Sequence, residues 1–186
     1  MKKYELTSET KVINGVEVHR IKALKSFGDI KEGDLGGWIE GEKNLSQYGD
    51  AWVGGNATIR GNATIRGNAT VDENATVGEY ATVDENATVG GNAKVYGDAT
   101  VGGNATIRGN ATIRGKEDYI VFKNWWSSGR YFTWTRSNNK WSVGCFYGSG
   151  EELIAKAYKD SEKSGREYER VVNYVESFLK EEDNNK

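Results

Sequence analysis

The chain has 186 residues, 37% of them hydrophobic, with 25 basic and 27 acidic side chains and a net charge of −2, an ordinary composition for one or two compact units. Charge is even along it: residues 1–50 carry 8 basic and 9 acidic groups, 51–116 carry 6 and 6, and 117–186 carry 11 and 12, so nucleic acid is not an expected partner. No apolar run reaches membrane-spanning length, and a single Cys without a secretory leader sets the expected location as the cytoplasm.

Residues 1–44 read as an N-terminal β cap. Lys11-Val-Ile-Asn14-Gly15-Val-Glu-Val places two alternating strands across Asn-Gly, the strongest short hairpin signal. A cap of this kind hides strand edges that otherwise template aggregation. The stretch that follows, from Ala23 through Gly33-Asp-Leu-Gly-Gly-Trp38 to Asn44-Leu-Ser, resembles the amino-terminal signature of hexapeptide-repeat proteins encoded by bacteria, phages and prophages. Members of that group are often described as acyltransferases or polymer-forming proteins.

From Ala51 to Lys116 the chain is eleven unbroken hexapeptides. All eleven open with Ala and carry Val or Ile third, nine have Thr between them, eight have Gly fifth, and eight close on Asn. Ala-Thr-Val alternates in, out, in, which is strand periodicity, and Gly and Asn accept the left-handed backbone of a corner. Units too short to bury anything alone form a core only by stacking. Val71-Asp-Glu-Asn-Ala75-Thr resembles the repeat of left-handed parallel β-helices, which implies a triangular coil of three hexads. With the degenerate unit Leu45–Asp50, residues 45–116 hold four coils, a prism roughly 15 to 20 Å long. Residues 18 apart then stack: Asn56, Asn74, Asn92 and Asn110 in one corner, and Arg66 one coil from Asp84. The acidic residues Asp72, Glu73, Glu79, Asp84 and Glu85, with Arg60 and Arg66 before them and Arg108 and Arg114 after, read as a self-balancing solvated surface. Proline, which would interrupt the ladder, is absent.

Residues 117–186 change to aromatics and then to helix formers. Tyr119–Phe122, Tyr131–Thr135 and Trp141–Phe146 read as three strands of a meander. Leu153, Ile154, Ala157 and Tyr158 make one amphipathic helix face, and Tyr168, Val171, Val172, Val175, Phe178 and Leu179 a second. Ser149 and Gly165 serve as helix punctuation. Gly144-Cys-Phe-Tyr-Gly-Ser followed by helices resembles the carboxy-terminal module that often follows such phage β-helices. The expected fold is mainly β: a short left-handed parallel β-helix of about four coils with an N-terminal β cap and a C-terminal α+β (βββαα) domain for recognition or oligomerisation. That domain is expected to dock on the open last coil, near Ile113.

No catalytic residue, metal ligand set or cofactor site is expected. Acyltransferases of this repeat use a His on a coil or an inserted loop, whereas His19, the only His, lies in the hairpin and nothing interrupts the hexads. Cys145, the only Cys, alternates with Trp141 and Val143 and reads as a buried small hydrophobe. The richest binding candidate is Trp125, Trp126, Arg130, Tyr131, Trp134, Arg136 and Lys140, with Phe132 and Trp141 among them, since aromatics with interleaved cations anchor interfaces and stack ligands, although the domain also needs a core. The resemblance implies a phage- or prophage-type binding protein in the host bacterial cell, a homo-oligomer whose partner is a host protein or small ligand, with inhibition of antiviral defence as its purpose. Its rivals are an acyltransferase and a structural, oligomerising protein.

Overall fold

The computed structural model describes residues 2–184; Met1 and the last two residues of the expected 117–186 domain lie outside them. The hairpin forms as read: β1 (Tyr4–Ile13) and β2 (Val16–Ala23) pair antiparallel across Asn14 and Gly15, both at positive φ. Strand β3 (Leu35–Ile39) then pairs antiparallel with β2 on one side and parallel with Thr58–Ile59 of the first coil on the other. It is the strand that converts a hairpin into a solenoid. Gly36 and Gly37 permit the close approach this needs, because a Cβ on Gly36 would lie 2.5 Å from the Val53 carbonyl and one on Gly37 2.7 Å from that of Ala57.

Eleven two-residue strands follow, β4 (Trp52–Val53) to β14 (Thr112–Ile113), one per hexad. They stack in three parallel columns whose registers pair Thr70 with Thr88, Thr76 with Lys94 and Thr82 with Thr100, giving a parallel β-solenoid of about four turns. Every third-place Val or Ile from Val53 to Ile113 is fully buried, as are the Ala residues that open each hexad. Thr64 and Thr82 are partly exposed and Thr100 is exposed, so Thr faces outward as the alternation requires. The exceptions are Trp52 and Thr58, which the N-terminal cap covers; Trp52 packs edge-on to Phe27 with ring centres 5.5 Å apart. One hydrophobic core runs through the cap and all the coils, including Tyr4, Ile21 and Ile39.

At three successive corners of the middle coils the chain departs from the glycine rule. Glu73, Glu79 and Glu85 hold the left-handed conformation, with φ of 61°, 59° and 57°, where a side chain costs about 1–2 kcal/mol. Each carboxylate accepts the main-chain N–H of the corner glycine one coil on, Gly91, Gly97 or Gly103. A charge-assisted bond to an otherwise solvent-facing N–H offsets that cost. The three glutamates are thus structural pegs around one coil, a role beyond the balanced surface read from composition. Arg66 and Asp84 stack as expected, Nε to Oδ2 at 2.8 Å.

Side chains close the ladder at both ends, except in the column that β3 continues at the start. At the start, Lys3 Nζ donates to the carbonyls of Gly49 and Ala51 at 3.3 and 2.7 Å, and Asn44 Nδ2 to those of Gly61 and Ala63 at 3.1 and 2.8 Å. At the finish, Thr133 Oγ1 accepts from Thr106 N, Ser137 Oγ from Thr112 N and Asp118 Oδ2 from Arg114 N, while Tyr119 donates to the Thr100 carbonyl. The C-terminal domain therefore docks on the last coil, as expected.

That domain has four strands in sequential antiparallel order, β15 (Tyr119–Lys123), β16 (Tyr131–Thr135), β17 (Lys140–Val143) and β18 (Phe146–Gly148), followed by α1 (Gly150–Asp160) and α2 (Glu162–Asn184). The stretch read as one third strand is two, because Gly144 takes a positive φ and turns the chain at Cys145. Cys145 is accordingly exposed, not buried: the turn ends the alternation that would have carried it inward. Ser149 is the N-cap of α1, accepting from Glu152 N at 3.2 Å. Gly165 does not punctuate; the break falls at Ser161, and Gly165 sits inside α2, where a Cβ would meet the Tyr158 ring at 2.2 Å.

Candidate functional site

Burial divides the aromatic and basic cluster proposed from sequence. Trp134, Trp141, Phe132 and Trp126 belong to the second hydrophobic core, packed with Leu153, Tyr168, Val172 and Val175 of the helices. Trp134 is fully buried, and its indole donates to Asn139 Oδ1 at 2.8 Å. These rings hold the sheet to the helices and present no surface to a partner. Arg136 is half-buried, its Nε donating to the Glu117 carbonyl at 2.9 Å and its guanidinium lying over Trp134 and Phe178. It joins the sheet to the end of the solenoid. Lys140 is half-buried at the start of β17. Trp125, Arg130 and Tyr131 remain exposed, with Lys123 5.6 Å above the Tyr131 ring.

These three lie on or beside the loop between β15 and β16. Asn124, buried at its root, donates its main-chain N–H to the Arg130 carbonyl at 2.8 Å and accepts Ser127 N at Oδ1 at 2.9 Å. Gly129, at φ 67°, completes the turn. The loop thereby sends two adjacent indoles opposite ways: Trp126 is buried edge-on to Tyr168, with centres 5.0 Å apart, and Trp125 is 75% exposed.

Behind the loop is a cleft of about 310 Å³, lined among others by Arg130 from the loop, Cys145 and Phe146 from the β17–β18 hairpin, and Lys156 and Asp160 from α1. Arg130 passes over the turn, where a Cβ on Gly144 would lie 3.3 Å from Nη1. Tyr168 from α2 reaches the same space, and Asn124 Nδ2 donates to its hydroxyl at 3.2 Å. Burial raises the Tyr168 pKa, the Asn124 hydrogen bond opposes this, and Asp160 and Arg130 act on it in opposite directions. Of the cleft residues only Arg130 stood among the binding candidates. Tyr168 was legible as a core position, but nothing in its spacing told that its hydroxyl emerges beside Asn124.

His19 is half-buried on β2 beside Glu17, at 3.7 Å, in the cap on the first coil, whereas Cys145 lies in the domain on the last. The two form no dyad. Among the described residues no three of His, Cys, Asp and Glu come together as a metal site, and no helix is long and apolar enough to cross a membrane. Neither the protein-family models nor the curated proteins compared with this chain gave a match. The chemistry of these surfaces therefore rests on their own atoms.

Proposed function

We propose that this chain is a non-enzymatic binding protein in which the β-solenoid is a rigid spacer and the C-terminal domain is the recognition element. The observation that carries the reading is the division of the tryptophans around the Asn124–Arg130 loop: one indole completes the core and its neighbour Trp125 is held 75% exposed on a hydrogen-bonded turn. An exposed Trp on the loop that carries exposed Arg130 and leads into exposed Tyr131 has the composition of an interface centre. The resemblance of the repeat and of Gly33–Trp38 to phage and prophage proteins gives the partner class, a host protein of a bacterial antiviral defence met in the cytoplasm. The homo-oligomer that the resemblance implies forms side by side and not end to end, because β3 and side-chain caps occupy the start of the ladder and side-chain caps its finish.

The test is affinity capture from bacterial lysate with the full chain, with Trp125→Ala, and with Thr82→Ala on a solenoid face. A partner retained by the parent and by Thr82→Ala but lost by Trp125→Ala supports the reading. No retained partner, or one insensitive to Trp125→Ala, rejects it.

A further inference from the structure

We propose that the cleft between the β15–β16 loop, the Gly144–Cys145 turn and α1 binds a small organic anion with a flat apolar body. This deepens the reading of the C-terminal domain as the binding element but does not depend on Trp125. Arg130 and Lys156 approach the cleft from different elements, and neither forms an ion pair with any described residue, although Asp160 lines the same space. Lone surface cations are commonplace. What sets these apart is that they line a concavity also lined by a directed chain of hydrogen bonds.

Ser127 N donates to Asn124 Oδ1, which fixes the side-chain amide so that Nδ2 faces and donates to the Tyr168 hydroxyl. That hydroxyl is an acceptor in this bond, and no described residue accepts its own proton. The phenol is therefore an oriented donor with an unfilled acceptor position, at the edge of a space that two cations also face. An anionic group there meets a guanidinium, an ammonium and a phenol, which is the donor set of a carboxylate or phosphate ester site. Val143, Phe146 and Leu153 supply the apolar wall, against which a ring packs. The volume of about 310 Å³ stands at the small end of ligand pockets, enough for a single ring with one charged substituent. Asp160, the carboxylate of the lining, offers an acceptor to a hydroxyl or amine on the same molecule.

The experiment is calorimetric titration of the full chain with phenyl phosphate and benzoate, against phenol and inorganic phosphate. Saturable binding of either ring-bearing anion is expected, with phenol and inorganic phosphate at least about tenfold weaker, as loss of one charged or one apolar contact set requires. Arg130→Gln and Lys156→Gln each weaken binding about tenfold and Tyr168→Phe several-fold, all with parental circular dichroism. Arg170→Gln, whose side chain pairs with Glu167 on α2, leaves binding unchanged. Absence of saturable binding up to about 5 mM, affinity indifferent to Arg130→Gln and Lys156→Gln, or inorganic phosphate matching phenyl phosphate would each overturn the proposal. The titration uses the purified full chain with no protein partner, so failure of protein capture and failure of anion binding are told apart.

Discussion

Thr133 on β16 accepts the main-chain N–H of Thr106 at 2.9 Å, a bond that main-chain carbonyls accept in the coils before it on the same face, where Trp52, Thr70 and Thr88 donate to Ala69, Ala87 and Ala105. A side-chain oxygen thus ends a ladder that is otherwise able to extend. Ser137 does the same for Thr112. The physical effect is that donors at the last coil are satisfied without offering a new row of acceptors, which is how an edge is closed against pairing.

Replacing both caps, Thr133→Val with Ser137→Ala, leaves the part-buried Thr106 N–H unpaired and returns the exposed Thr112 N–H to solvent. We expect destabilisation of about 1–3 kcal/mol and concentration-dependent association, read by urea unfolding and light scattering. Parental stability together with an unchanged scattering mass at all concentrations would show that these bonds do not close the end.

Lys3 gives a pH dependence with a definite sign. Burial lowers its pKa from 10.5 to about 8, against the opposing pull of Asp50. The unfolded chain therefore holds this proton through pH 8–10.5 while the folded chain has lost it, and stability rises with pH across that window. Tyr4, buried and raised above its ordinary 10.0, acts oppositely, its contribution being present below pH 10 and lost above it. Stability of the parent is expected to climb from pH 7.5 to pH 9.5, a range chosen on either side of about 8. Lys3→Met removes that slope while lowering stability overall through two unmet carbonyls. Parallel pH profiles for parent and variant would contradict the assignment.

The glutamate pegs separate two effects by substitution. Glu79→Ala keeps the left-handed backbone cost and loses the 2.6 Å bond to Gly97 N, and is expected to cost about 1–2 kcal/mol. Glu79→Gly loses the same bond but relieves the backbone, and should fall within about 0.5–1 kcal/mol of the parent. Equal losses for the two variants in thermal unfolding would remove the backbone argument.

Val83 lies in the middle of its column, fully buried between Ile65 and Val101. Val83→Asp puts a carboxylate into a wall of Ala, Val and Ile with no partner, at an expected cost of about 3 kcal/mol or more. A melting temperature equal to the parent would refute the packing described for the solenoid.

The repeat and its inward face were written in the chain. A six-residue period repeated without a break fixes the span and turns Ala and Val inward, while the three columns and the Arg66–Asp84 pairing, which the structure closes at 2.8 Å, followed only once the resemblance to left-handed β-helices put three hexads in a coil. The Asn14-Gly15 turn and the Ser149 cap were equally local. Tertiary structure decided what counting could not reach. Trp134 and Arg130 look alike as members of one aromatic and basic run, and only the packing of α1 and α2 on the sheet buried the first and left the second at a cleft. Cys145 followed the alternation on paper until one positive φ at Gly144 turned it outward. Periodic contacts between near neighbours are written in the local pattern. Contacts between Lys3 and Ala51, Thr133 and Thr106, or Asn124 and Tyr168 join residues whose spacing follows no repeat, and their partners are chosen by shape and unmet hydrogen bonds once the elements have packed.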